Sequence, residues 1–568
     1  MPGSRTVASR MLLVIALGAT TVFSGTADAD EAIAERVEAL GAGFPVEVLG
    51  VPLLARQALL DFYRATGYER AWQSPDHRQQ LISAVETAVQ DGLDPEDYHS
   101  EVLYDLAHRT LPELSRELQA DMDLLLSDAF MLLGSHLLDG KVNPKTLQAE
   151  WTANRRQRRL DTLLKTALSS GDIAGTLQSL RPNHSGYQGL VRARQTMTRL
   201  LGQPWLPIAG GPVIGPGDRD DRMPEIRRRL TALGDLPDYQ LASDLRHYSG
   251  ELEVVVPAFQ ARHGLEPDGL IGRQTLAALN LLPVERIRRI DASLERWRWL
   301  PESLGDRFVL VNIAGYELNL IDNGRLRLHR RVIVGQPYRQ TPVFSDRIRY
   351  LVLNPAWTVP RTLMIEDHLP RILRDPDYLE RLNIQVYQGW GTDRQRVDPA
   401  TVDWASLSGD YFPYQLVQAP GPNNALGRIK FMFPNPYDIY LHDTPSQSLF
   451  GRLGRSFSAG CIRVEDPFPL AEQLLSGHPE WSLDRILDAA ESSETRTIVL
   501  PQPIPVYIQY WTAWVDEHGG LQLRDDIYNR DNRLINRLRE TPSGDAGRMT
   551  PTAVLHRTSA STRSQEQP

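Results

Sequence analysis

Apolar residues recur at three- and four-residue steps through the first third of the chain. Leu81-Ile82, Val85, Ala88-Val89 and Leu93 form one stripe, ended near Asp91-Gly92 and Pro95; Leu124, Leu125, Phe130, Leu133 and Leu137 form another, ended by Asp139-Gly140 and Pro144. That period predicts amphipathic helices with Gly and Pro stops, so residues 30–205 are expected to be a helical scaffold. His99, His136 and His184 stand alone in it and read as structural or surface residues. A Gly/Pro-rich stretch over 206–218 reads as a linker. Three short helices are expected between 219 and 282, carrying Ile226, Leu230 and Leu233 on one face and joined through Gly264, Gly269 and Gly272. A further helix over 283–305 connects to a region where the period changes to two. Positions 308–311, 317–320, 326–334, 347–353, 429–433 and 438–442 read as strands, and Asn323-Gly324 is a hairpin turn signal. Residues 361–418 interrupt them with a helical and loop-like pattern, an insertion long enough to cap a site. A last β region precedes a Ser/Thr/Arg/Gln-rich tail over 541–568 that lacks apolar periodicity and reads as disordered. The fold class is therefore multidomain α+β: a scaffold, a small three-helix domain and a mainly β domain over 306–530 with a helical cap.

Composition narrows the function. The 568 residues are 41% hydrophobic and 23% charged, an ordinary globular balance. Lys+Arg number 62 against 71 Asp+Glu, for a net charge of −9; no basic domain stands out, which argues against a nucleic-acid partner. Residues 1–29 resemble an export signal: Arg5 and Arg10, an apolar run over 11–22, then Ala27-Asp28-Ala29 as a small-x-small cleavage pattern. The run is short for a membrane span of about 20 residues; the alternative is a retained signal anchor. Either way the chain is expected in the periplasm. One cysteine, Cys461, is present. An exported protein with a single thiol either buries it or uses it.

The surrounding residues favour use. Tyr440-Leu441-His442-Asp443-Thr444 precedes Ser458-Ala459-Gly460-Cys461-Ile462-Arg463. A thiol is nucleophilic as thiolate, with an ordinary pKa near about 8.5, and needs a base or cation beside it. His442, at the end of an expected strand, is the candidate general base. Gly460 lets the backbone approach closely, making the N–H groups of Gly460 and Cys461 candidate oxyanion donors. Arg463 would share a strand face with Cys461 and could hold a carboxylate or pair with an internal acid. Tyr440 either orients the base and touches substrate or packs in the core. Glu366-Asp367 and Asp525-Asp526 read as solvated surface rather than a paired-carboxylate site.

Two family resemblances are carried by these residues. Phe259-Gln260, Gly264-Leu265, Asp268-Gly269, Ile271-Gly272, Thr275 and Ala278-Leu279-Asn280 resemble the small helical peptidoglycan-binding domain. His442-Asp443-Thr444 with Ser458-Ala459-Gly460-Cys461-Ile462-Arg463 resembles the L,D-transpeptidase catalytic domain of the YkuD type. Val334-Gly335, Thr341-Pro342, Asn354-Pro355, Trp357, Val359-Pro360 and Gly421-Pro422-Asn423-Asn424-Ala425-Leu426-Gly427 resemble its large periplasmic branch, in which a helical scaffold, a peptidoglycan-binding domain and a cap surround the catalytic sheet. Many members carry a His two residues before the nucleophile; Ala459 stands there, concentrating the base role on His442.

The resemblance implies a cysteine acyltransferase that joins the third residues of peptidoglycan stem peptides. Cys461 would be the nucleophile, His442 the base and Gly460 an oxyanion donor, with Arg463, Tyr440, Ser458, Trp357 and Asn424 at the substrate. It implies no metal and no cofactor. The partners implied are peptidoglycan stem peptides and glycan, with other wall-synthesis enzymes as further candidates and carbapenem β-lactams as inhibitors. The alternatives are an L,D-carboxypeptidase or cysteine hydrolase that trims stem peptides, and a non-catalytic wall-binding scaffold.

Overall fold

The computed structural model describes residues 29–107, 114–147, 156–237, 244–389, 391–492 and 494–542. The expected export signal before residue 29 and the tail from 543 lie outside the described residues.

The scaffold is built around helix Arg116–Asp139, which is apolar on nearly all sides and buried accordingly. Two of its carboxylates fasten the loops that surround it. Asp123 accepts from the N–H groups of Ala71 and Trp72 at 3.0 and 2.8 Å. Asp128 accepts from Leu54 and Ala55 at 2.9 and 2.7 Å and from His99 Nε2 at 2.8 Å. His136 meets the Tyr98 hydroxyl at 2.9 Å and His184 the carbonyl of Pro301 at 3.2 Å, so His99, His136 and His184 each hold a partner within the fold.

The three-helix domain comprises Met223–Ala232, Leu252–Arg262 and Arg273–Asn280. Buried Gln260 fixes its Gly-rich turn, donating to Asp268 Oδ1, Leu270 O and Thr275 Oγ1 and accepting from Gly269 N. The stretch read as a linker is pinned to this domain. Ile208 exchanges two hydrogen bonds with Asn280, and Ile214 pairs with Ile271. Burial of Ile208 and Ile214 explains why the Gly/Pro signal does not make it loose.

Helix Pro283–Arg298 joins the parts. Its Glu295 and Arg298 are fully buried and paired at 2.7 Å. Arg298 also donates to Asp91 O and Tyr187 Oη of the scaffold, at 2.8 and 3.1 Å. Glu295 accepts from Val142 N at 2.7 Å. On the far side Arg296 pairs with Asp531 at 2.6 Å, and Trp297 stacks on Trp511 with centroids 4.4 Å apart.

Among the described residues the sheet of the mainly β region has nine strands. In spatial order they are Ser456–Ser458, Arg325–Gly335, Ile462–Val464, Leu441–His442, Ile429–Met432, Phe344–Leu353, Arg496–Gln509, Arg307–Asn312 and Glu317–Asp322; the last pairs back onto Arg325–Gly335 and closes the sheet. The expected helical insertion is mixed instead. A four-stranded antiparallel sheet (Trp357–Thr358, Tyr414–Gln418, Ile384–Gln388, Gln395–Val397) carries short helical turns and its own core of Met364, Leu369, Ile372, Ile384, Val386 and Leu416. Its strands are short and partly polar, so their two-residue period is weak beside the helical pattern of 365–373. The chain also continues past 530 into helix Arg530–Leu538, which packs on Pro283–Arg298 through Asp531, Leu534 and Leu538.

Removing Arg298 leaves the Glu295 carboxylate buried and unpaired. Arg298→Ala is expected to cost about 3–5 kcal/mol, read as a lower thermal midpoint, with Glu295→Gln in the same chain recovering part of it. A midpoint unchanged by Arg298→Ala would contradict the role given to the pair.

Candidate active site

The site is set by two short strands. Leu441–His442 and Ile462–Val464 pair in parallel with Leu441 opposite Ile462 and His442 opposite Arg463. Leu441, Ile462 and Val464 are 0% exposed in the core. Because side chains alternate, Tyr440, His442, Cys461 and Arg463 all turn to the other face, where they line a cleft of about 1050 Å³ roofed by the cap.

The turn that carries Cys461 is held from three sides. Ser458 Oγ donates to Cys461 O at 2.5 Å and accepts from Gly460 N at 3.1 Å. Thr341 Oγ1 donates to Gly460 O at 2.8 Å and accepts from Gly335 N at 2.9 Å. Tyr528 Oη donates to Gly335 O at 2.5 Å. Gly460 has φ +121°, a conformation that disfavours a Cβ. Its N–H is engaged by Ser458, so it is not free for an oxyanion. That corrects the assignment of Gly460 and leaves the Cys461 N–H as the candidate donor.

Cys461 is half-buried, and its Sγ lies 3.6 Å from Asp438 O. Burial pushes the thiol up to about 11, against the pull of Tyr440 and the Arg463 charge. His442 is 4% exposed, and its Nδ1 donates to Asp443 O at 2.5 Å, leaving Nε2 as the lone-pair nitrogen. Burial and then the Arg463 charge bring the imidazole down to about 3. Both partners are therefore neutral before any ligand arrives. Tyr440 packs edge-on to His442 at 5.6 Å, and burial raises its phenol.

Arg463 has no ion pair among the described residues and its Nε is buried without a partner, so it faces the cleft as a cation rather than closing an internal pair. Trp357 lines the cleft beside His368. Ser458 lines it too, but its hydroxyl is spent on the turn that carries Cys461. Asn424 does not join it. At 2% exposure it bonds Gln418 O, Ala419 O and Leu426 N, and its neighbour Asn423 faces the cleft instead. A motif match gives proximity along the chain but not side-chain direction.

Four sets of contacts went unread in the sequence. Lys430, opposite His442 on the neighbouring strand, brings its Nζ to 5.4 Å from the Tyr440 ring; a lysine between buried Ile429 and Phe431 was the available signal. Thr341 and Tyr528 are distant in sequence and meet the turn only through the sheet. Glu366 and Asp367, read as solvated, pair with Arg339 at 2.5 and 2.6 Å and tie the cap to the loop after Gly335.

Family models match three segments: a scaffold domain over 57–193, a "Putative peptidoglycan binding domain" over 219–279 and the L,D-transpeptidase catalytic domain over 306–486. A "Putative L,D-transpeptidase" of Haemophilus influenzae is 37% identical over 267 residues, 46% of this chain and 53% of that protein. The chain thus spans about half the length of that curated relative. Among solved structures, an L,D-transpeptidase from Mycobacterium smegmatis is 11% identical over 36% of this chain and 58% of its own, with a TM-score of 0.17. One from Xylanimonas cellulosilytica is 15% identical over 53% of this chain and 98% of its own, also with a TM-score of 0.17. Superpositions that poor support no shared architecture by themselves. Residues 306–486 thus match the YkuD-type L,D-transpeptidase catalytic domain, on one chain with segments that match a scaffold domain and a putative peptidoglycan-binding domain.

Proposed function

We propose that the chain cross-links peptidoglycan stem peptides between their third residues through a thioester on Cys461. The observation that carries the reading is the shared face of Cys461, His442, Tyr440 and Arg463, open to a cleft large enough for a peptide. Arg463 holds a carboxylate of the donor stem. The thiol proton passes to His442 Nε2 as Sγ attacks the carbonyl of the donor's third residue, and the Cys461 N–H receives the developing oxyanion. His442 returns the proton to the leaving amine of the terminal D-alanine. The amine of a second stem then attacks the thioester. Water in its place would give carboxypeptidase activity, and the cap limits water. Tyr440 orients the imidazole and faces the sulfur. A donor carboxylate beside Arg463 also offsets the charge that depresses the His442 imidazole, so ligand binding readies the base.

The same reading includes export to the periplasm, wall contact through the three-helix domain and acylation of Cys461 by carbapenems. Cys461→Ala is expected to abolish both cross-linking and the carbapenem mass adduct on the intact protein. His442→Ala is expected to slow acylation by about 10²–10⁴-fold; full activity in either variant defeats the assignment.

The neutral thiol and neutral imidazole give a pH signature. The imidazole stays unprotonated above about 3 and the thiol stays protonated below about 11. Acylation kcat/KM should therefore be flat from about pH 5 to about pH 9, without the acid limb near about 6.5 expected of a solvated imidazole. An acid limb at that position would reject the neutral pair.

The imidazole also depends on a residue outside the cleft. A Cβ on Gly427, at φ +62°, would lie 2.3 Å from Asp443 Oδ2. Asp443 must move, and its carbonyl is what orients His442. Gly427→Ala is expected to slow acylation by about 10²-fold while circular dichroism stays native; wild-type rates would show that the Asp443 bracket does not matter.

A further inference from the structure

Asp438 stands beside the nucleophile with a charge that the first half of the reaction does not want. Its backbone is left-handed, φ +53°. Asn435 holds that turn rigidly: its Nδ2 donates to Phe433 O and Ile439 O, both at 2.7 Å, and its Oδ1 accepts from Tyr437 N at 3.1 Å and Ile439 N at 3.3 Å. The turn directs the Asp438 carbonyl to the sulfur, 3.6 Å away. The side chain is exposed and lines the cleft. The acids lining the cleft are Asp367, which is paired with Arg339, and Asp438, which is exposed and takes part in none of the ion pairs among the described residues. The positive charges there are Arg339, Arg371 and Arg463.

Conformation alone explains an Asn or Asp at this position, since both tolerate φ > 0. It does not explain the charge. The carbonyl of Asp438 meets the sulfur, and the charge on the same residue opposes thiolate formation at Cys461. Charge that hinders one step at a reactive centre calls for a step that it helps. The acceptor amine of the second step arrives as an ammonium.

We propose that Asp438 is a specificity-determining residue that draws the cationic acceptor amine to the Cys461 thioester and so favours aminolysis over hydrolysis. This rests on the transpeptidase reading above. The ammonium binds at the carboxylate and loses one proton to solvent. The free amine attacks the thioester carbonyl; the new C–N bond forms, the C–S bond breaks, and the second amine proton passes through His442 to the departing sulfur. Asp438 takes no part in proton transfer.

The test uses the full chain with a purified tetrapeptide disaccharide as donor and acceptor, mass spectrometry of dimer and tripeptide products, and rapid-quench detection of the thioester. Asp438→Asn keeps the left-handed preference and removes the charge. The two half-reactions should move in opposite directions: thioester formation faster, and the dimer-to-tripeptide ratio lower by about fivefold to tenfold, through a higher KM for acceptor. Added salt should lower that ratio in the unaltered chain and not in the variant. Asp438→Glu should keep most of the preference for amine. A ratio unchanged in Asp438→Asn, or lowered equally by Asn and Glu, overturns the proposal. Absence of any thioester on the unaltered chain overturns the transpeptidase reading itself, and this inference with it.

Discussion

Two strands of two and three residues, lying side by side in parallel, decide whether this molecule has an active site. Leu441, Ile462 and Val464 must face the core, each worth about 1.5–3 kcal/mol when buried, and strand alternation then sends Tyr440, His442, Cys461 and Arg463 the other way. A slip of one residue would put the sulfur into hydrocarbon and the leucine into the cleft. Strands this short carry few ladder hydrogen bonds of their own. The register is held from their ends: Ser458 and Thr341 clasp the turn before Cys461, and Asn435 clasps the turn before Tyr440. The placement of Tyr440, His442, Cys461 and Arg463 is thus stored in side-chain-to-backbone bonds made by residues beyond those four.

The same arrangement sets the electrostatics. Packing the thiol and imidazole against the sheet removes water from both, and water is what stabilises their charged forms. Two cations, Lys430 and Arg463, flank the imidazole on neighbouring strands and depress it further. The resting site is therefore uncharged at sulfur and nitrogen, with cations beside the imidazole and the Asp438 carboxylate in the same cleft. A solvated thiolate would be more reactive toward any electrophile or oxidant. Burial trades that general reactivity for reactivity that depends on what occupies the cleft.

The sequence was legible where local spacing controls structure. The scaffold helices, the three-helix domain and the turn carrying Cys461 follow from periods and glycines within a few residues of one another. Cys461, His442, Tyr440 and Arg463 could be placed on one face because alternation is a local rule. Thr341, Lys430 and Tyr528 could not, since their approach to the turn depends on the order of strands in the sheet. Gly460 was misassigned because the direction of its N–H is set by the Ser458 hydroxyl, which spacing does not reveal. The cap was read as helical because its strands break period two with polar residues, such as Gln415 and Gln418, that its own folding buries.

The helix that joins the parts raises a different question: why its centre is ionic. A buried ion pair seldom stabilises more than hydrocarbon of the same volume, so Glu295 and Arg298 are not explained by stability alone. Hydrocarbon lacks direction. Glu295 receives Val142 N from one loop; Arg298 reaches Asp91 O and Tyr187 Oη in two other elements. Those bonds permit one rotation of the helix about its axis. That rotation aims Trp297 at Trp511 and Arg296 at Asp531, and Trp511 lies two residues beyond the strand Arg496–Gln509. The three-helix domain is tied to the same frame, since Arg262 donates to Leu521 O at 3.1 Å while Arg524 donates to Arg262 O and Arg289 to Arg524 O, both at 2.9 Å. An ionic centre with fixed directions therefore serves orientation: it holds the scaffold, the three-helix domain and the cleft at set angles.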